Sequence, residues 1–260
     1  MKLCGFAFFT ILFLLFLPAD NSAKAFNTND AAKLQKDFSD KPLGERIAMW
    51  AEKFLGTPYD PDPLGEYVSK AVIVADERVD CMYLTFRAVE LALGATPEDA
   101  IQIALDKRFH SRGILDKTRV VNYEDRFEYG EDMISSGKWG KDITAEIGEI
   151  VKIKGSRGTR TFAMLTPQNI LKGLNRLKDG DIIFLVKAPH KRKTDEIVGH
   201  MGIIKTDALT DPVSDSHKKV YLIHAGGRKG VGGSVKKVLL QDYIKKMPFV
   251  GAKITRFDGS

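Results

Sequence analysis

The chain has 260 residues, 43% hydrophobic and 28% charged, with a formal net charge of +6, which suits one large folded domain and a tolerance for anionic partners. The basic excess is modest, and little aromatic interleaving, no zinc-finger spacing and no helix-turn-helix pattern argue against nucleic acid as a partner. The two cysteines, Cys4 and Cys81, exclude a disulfide-rich scaffold.

Residues 1–25 read as a leader: Lys2 precedes an apolar run over 5–17, and Ala23-Lys24-Ala25 offers small residues for cleavage before Phe26. The run is shorter than the ~20 residues of a membrane span, with an uncleaved anchor as the alternative. No later stretch is long and apolar enough to span a bilayer, so no stable span is expected after cleavage. Lys2, Asp20 and Lys24 leave with the leader, which lowers the net charge from +6 to +5 and leaves Cys81 as the sole thiol. In a periplasmic or secreted protein a lone thiol is a liability unless it is buried or used.

Residues 42–55 carry a helical pattern with Ile47, Trp50, Ala51 and Phe54 on one face, stopped by Gly56-Thr57-Pro58-Tyr59. After an irregular loop over 60–65, a second helix is expected from Asp80-Cys81 toward Gly94, with Asp80 as its N-cap. Thr96-Pro97-Glu98-Asp99 opens a third helix. Residues 111–159 mix short apolar segments with glycine and charge, as substrate-facing insertions do. Thr166-Pro167 starts a further helix expected to end near Leu177.

The last third changes period. Residues 182–186, 198–204, 220–225 and 250–257 read as strands, with a short helix over 238–244. Helices first and an antiparallel sheet later make the fold class α+β. One domain over 26–260 is expected, with a helical and loop extension around 96–175 and neither repeat nor hinge.

Cys81 at a helix start has a physical reason to be a nucleophile: unpaired amides and the helix dipole favour thiolate, and the Cys81 amide can donate to an oxyanion. A hairpin centred near Pro212 would set Ile204 opposite Val220, Gly202 opposite Leu222 and His200 opposite His224. His200 would then be the base and His224 its orienter, with Gly202 leaving room for the incoming helix. Two alternatives stand beside this reading: structural roles for all three residues, and a zinc site made of Cys81, His200 and His224. The absence of an HExxH or CxxC pair favours thiol chemistry, with no metal or other cofactor.

An ordered series of short blocks resembles the NlpC/P60 superfamily of wall hydrolases, and more narrowly the DUF1460 branch of N-acetylmuramoyl-L-alanine amidase-like proteins. The blocks are Leu55-Gly56-Thr57-Pro58-Tyr59, Asp80-Cys81, Asp179-Gly180-Asp181, His200-Met201-Gly202-Ile203, Ile223-His224-Ala225 and Gly251-Ala252-Lys253. The resemblance implies a papain-like fold with its nucleophile at a helix N-terminus packed on an antiparallel sheet. It implies Cys81 as nucleophile, His200 as base, His224 as orienter and Tyr59 bordering the cleft. Peptidoglycan or its muropeptides would be the substrate, cut between N-acetylmuramic acid and L-alanine or, alternatively, after γ-D-glutamate. A non-catalytic wall-binding module is the third reading.

Two features depart from the superfamily pattern: Met82, Tyr83 and Leu84 follow the cysteine where small residues are usual, and the spacing from His200 to His224 is long. Arg119, Arg126 and Tyr129 are candidate contacts to lactyl or peptide carboxylates. Basic stretches over 152–160, 187–193 and 228–237 would steer acidic muropeptides, or serve only as solvated loops.

Overall fold

A computed structural model of the chain describes residues 30–207, 218–228 and 232–259. The segment read as a leader and the centre of the hairpin near Pro212 lie outside the described residues. Among the described residues no helix is long and apolar enough to cross a membrane.

The N-terminal half is helical. It contains α1 (Ala31–Phe38), α2 (Leu43–Lys53), the single turn α3 (Glu66–Ser69), α4 (Cys81–Leu93) and α5 (Pro97–Lys107). The expected extension follows as a ribbon of β1 (Leu115–Asp116) and β2 (Arg119–Val120), then α6 (Gly130–Ser136), β3 (Lys141–Asp142), α7 (Thr144–Ile147), β4 (Ile150–Lys154), β5 (Thr161–Leu165) and α8 (Pro167–Lys172). The C-terminal part supplies β6 (Ile182–Val186), β7 (Val198–Asp207), β8 (Lys219–Arg228), β9 (Gly232–Leu239), α9 (Leu240–Lys246) and β10 (Gly251–Arg256).

The main sheet runs β4-β5-β10-β6-β7-β8-β9, with β3 also pairing to β10, and every pairing is antiparallel. Side chains alternate across it. Phe184, Met201, Ile203, Ile223 and Ala225 join α2 and α4 in one core, while Ile183, Leu185, Ile204 and Leu222 join Leu240 and Ile244 of α9 in the other. The molecule is thus α+β, with the sheet sandwiched between two helical layers.

Helix α4 is buried almost all round from Tyr83 to Ala92, as a central helix must be when it carries apolar residues on every side. Two charges lie within it, and both are compensated. Arg87 grips Asp76 through Nε at 2.8 Å and Nη2 at 3.0 Å, and Arg108 grips Glu90 through Nε and Nη2, each at 2.6 Å. Arg108 Nη1 also donates to the Ile73 carbonyl at 2.9 Å. This network holds the irregular segment before Asp80 against α4, and so fixes where that helix begins.

The sequence-derived boundaries need three corrections. The helix from Pro167 stops at Lys172, where Gly173 caps it and a 3-10 turn, Leu174–Arg176, follows. Val238 belongs to β9, so the last helix starts two residues later, at Leu240. One basic stretch taken for a loop is largely strand, since residues 232–237 lie in β9, whereas most of 152–160 is the loop between β4 and β5.

Candidate active site

Asp80 has an extended backbone, and its Oδ1 accepts the Tyr83 amide at 2.7 Å, so the helix opens at Cys81 as the sequence suggests. Cys81 is half-buried at the wall of a cleft of about 360 Å³, whose lining includes Tyr59, Tyr67, Asp80, Met82 and Glu128. Burial pushes the thiol up to about 12, the Asp80 carboxylate adds to the rise, and the amides of Met201, Cys81 and Met82 only partly oppose it. The expected resting thiolate is therefore corrected to a neutral thiol: desolvation beats the helix terminus.

The surroundings of the thiol follow the same rule. Burial raises Asp80 to about 6 against the pull of the Tyr83 amide. Tyr59 rises to about 12, through burial first and then the neighbouring Cys81, Asp80 and Asp60, so its hydroxyl stays protonated and able to donate. Its ring lies so close to Gly227 that a Cβ there would sit 2.6 Å from Cδ1. A glycine in β8 thus seats the tyrosine beside the nucleophile candidate.

The two histidines meet, but not in the expected register. Ile204 pairs with Leu222 and Thr206 with Val220, a shift of two residues, so His200 and His224 are diagonal and not directly opposite. A two-residue shift preserves the face, and the rings still join: His200 Nε2 lies 2.9 Å from His224 Nδ1. Gly202 makes room for β8 and not for a helix, since a Cβ there would lie 2.5 Å from the Ile223 carbonyl and 3.1 Å from His224 Cβ.

Burial, reinforced by His224, lowers His200 to about 3, and burial, reinforced by Lys236, lowers His224 to about 4. Both rings are neutral at neutral pH, and only one proton can occupy the line between them. If His200 Nε2–H donates to His224 Nδ1, the His200 Nδ1 lone pair is left free as a base. The opposite tautomer would remove it.

Phe249 stacks on His200 with ring centroids 6.2 Å apart and planes 10° apart, and Tyr243 meets His224 at 5.0 Å. Burial, with Cys81 adding to it, pushes the Tyr243 hydroxyl up to about 12. Glu131 accepts the Ile197 amide at 2.8 Å and the Val198 amide at 3.0 Å, which pins the entry to β7 two residues before His200. The sequence reading missed all three. Tyr243 had a signal, lying three residues from Leu240 and next to Ile244 on a short amphipathic helix, whereas Glu131 is 67 positions from Val198 and carries none.

Cys81 and Tyr59 thus share the cleft, while His200 and His224 form a bonded pair whose neighbour Met201 turns its amide to the thiol. The other candidates are dispersed. Arg126 reaches the cleft only through Glu128, its Nη2 lying 3.2 Å from that carboxylate. Tyr129 precedes α6 and lies under the Arg157 guanidinium at 4.1 Å. Arg119 lines a separate hollow with Asp116 and Tyr123.

Among the described residues none from the three basic stretches lines the cleft, whose charged walls there are Asp62, Asp80 and Glu128. Among the described residues no group of three His, Cys, Asp or Glu side chains is placed to hold a metal ion.

No family model and no curated protein matches the chain in sequence. Solved structures do match it in fold. A Legionella pneumophila protein assigned to DUF1460 superposes with a TM-score of 0.66 at 15% identity, covering 90% of this chain and 95% of its own. This chain has that protein's fold. An N-acetylmuramoyl-L-alanine amidase from Bacteroides uniformis matches at a TM-score of 0.60 and 19% identity, over 82% of this chain and 98% of its own. A Bacteroides fragilis structure bearing a provisional xylanase name matches at 0.58 and 19%, over 81% and 100%. The shared scaffold is one that carries hydrolase names, and the resemblance read from the short sequence blocks agrees with it.

Proposed function

We propose that the chain is an exported, papain-like cysteine hydrolase of the NlpC/P60 type that cuts the amide between N-acetylmuramic acid and L-alanine in peptidoglycan fragments. The observation that carries this reading is the meeting of a helix-start thiol with the strand that holds a bonded, neutral histidine pair. The amidase name of a structure with the same fold supports the bond.

In this reading Cys81 Sγ attacks the lactyl carbonyl carbon as its proton passes to His200 Nδ1, and His224 holds the tautomer that leaves that nitrogen free. The oxyanion takes hydrogen bonds from the Cys81 amide and the protonated Tyr59 hydroxyl. The C–N bond then breaks as His200 protonates the leaving amine of L-alanine. Water hydrolyses the thioester and restores thiol and imidazole. Because the resting thiol is neutral, its proton leaves only as the new bond forms, which is general-base catalysis and not a preformed ion pair.

The acidic cleft favours a second reading. Asp62, Asp80 and Glu128 suit a substrate presenting a free amine, as a stem peptide beginning with L-alanine does, and cleavage would then follow γ-D-glutamate. Muropeptides of defined linkage separate the two by product mass, with folded Cys81→Ala as control. The amidase releases an intact peptide beginning with L-alanine and a sugar with a free lactyl carboxylate. Cleavage only after D-glutamate supports the endopeptidase, and saturable binding without products supports a wall-binding module. Intact mass of protein from the native cell tests export, with a mature start at Phe26 expected and retention of residues 1–25 as the contrary result.

A further inference from the structure

The fold builds a second cavity whose lining shares no residue with the Cys81 cleft, enclosed by α8 with the turn after it, the start of β8, the end of β9 and α9. Its volume is about 630 Å³, within the ~300–1,000 Å³ of small-molecule sites. Lys172, Lys218, Lys219 and Lys245 converge on it, and among the described residues its lining contains no aspartate or glutamate. Lys218 Nζ donates to the Leu177 carbonyl at 2.9 Å, and among the described residues none of the four lysines is ion-paired. The one carboxylate carried by their cross-strand partners, Asp207 opposite Lys219, turns instead to Lys237 at 3.5 Å.

These four cations are scattered in sequence over three separate segments and belong to none of the basic stretches, so only the fold gathers them. Beneath them the wall is apolar: Leu171, Leu174 and Leu239 are partly exposed, and Val220 is buried. Like charge above a leucine floor has a clear chemical complement, an anion that carries its own apolar part.

We propose that this cavity is a second ligand site that takes a single anionic amphiphile, with a phosphate or carboxylate head among the four lysines and an aliphatic or ring portion against the leucines. The head relieves the repulsion between the ammonium groups, and the tail removes the leucines from water. Neither part suffices alone, which separates this site from a merely basic surface.

Calorimetric titration of the full chain with dodecyl phosphate below its micelle concentration, inorganic phosphate and dodecyl maltoside tests the proposal. Dodecyl phosphate is expected to bind at least ~10-fold more tightly than either partial probe. The variant Lys172→Glu/Lys245→Glu should lose that preference with its thermal melt unchanged, because both side chains are exposed. Lys152→Glu/Lys154→Glu, an equal charge change on β4, should keep it. Equal affinity for dodecyl phosphate and inorganic phosphate would overturn the proposal, as would equal loss in both variants. Retention on phosphatidylglycerol vesicles without binding of dodecyl phosphate in solution would also overturn it, in favour of a membrane-facing surface.

Discussion

The middle and the N-terminus of α4 treat buried ionisable groups in opposite ways. In the middle, Arg87 and Arg108 stay charged: burial works against them, but bidentate contacts to Asp76 and Glu90 outweigh it and hold both guanidiniums above their ordinary value. At the N-terminus, Cys81, His200 and His224 have no opposite charge beside them among the described residues, and the same desolvation leaves all three neutral. One region uses a dry environment to lock charges in place. In the proposed mechanism the other uses it to keep a proton on sulfur and a lone pair on nitrogen until a substrate supplies the place for negative charge.

Breaking the charged region should have the largest effect on stability. Glu90→Gln leaves Arg108 buried without its counter-charge and should cost about 3–5 kcal/mol in chemical denaturation, or prevent folding. Cys81→Ala, at the other end of the same helix, should change stability by no more than about 1 kcal/mol while lowering turnover at least ~10³-fold. A stability ranking in the reverse order would contradict the contrast.

The histidine pair sharpens it. His200→Ala should cost about 10²–10⁴-fold in turnover and exceed the loss in His224→Ala, with folding verified for both. His224→Asn, which retains an acceptor for the His200 Nε2–H, should lose less than His224→Ala. Equal losses in the asparagine and alanine variants would show that the tautomer is not what His224 supplies.

Acid stability tests the neutral region as a whole. His200 and His224 sit at about 3 and about 4 in the fold against 6.5 in the unfolded chain, so between pH 6.5 and about 4 the unfolded state binds more protons and stability falls as pH drops. Asp80 has the opposite sign: raised from 3.8 to about 6, its contribution is fully present below 3.8 and is lost as pH rises through about 6. Denaturation midpoints across this window should fall more steeply in Asp80→Asn and less steeply in His224→Asn than in the parent. The smallest effect is expected on the surface, where Lys141→Ala removes an exposed pair with Glu146 and should change stability by no more than about 0.5 kcal/mol.

What could be read from the sequence was local. The start of α4 at Cys81, the helix opened by Thr96-Pro97, and the strand over 182–186 follow from caps and periodicity within a few residues, and the structure has each. The meeting of His200 with His224 was legible because strand parity survives a two-residue slip, whereas the register was not, since the loop that sets it is long and polar. The protonation of the thiol was illegible for another reason: the burial of Cys81 is a tertiary fact, and it reverses what a helix N-terminus does in water. The acidic lining of the cleft, drawn from Asp62, Asp80 and Glu128, was hidden in the same way.

The central claim, that Cys81 carries the acyl group of a muramoyl amide, is tested most directly by acid-quenching a single turnover of a defined muropeptide and mapping the protein by mass. The account predicts a transient thioester of the lactyl group, with its sugar, on the peptide containing Cys81, formed in the parent and slowed in His200→Ala. A γ-D-glutamyl adduct on the same cysteine would keep the nucleophile and change the bond. Turnover without any adduct, persisting in folded Cys81→Ala, would contradict the account.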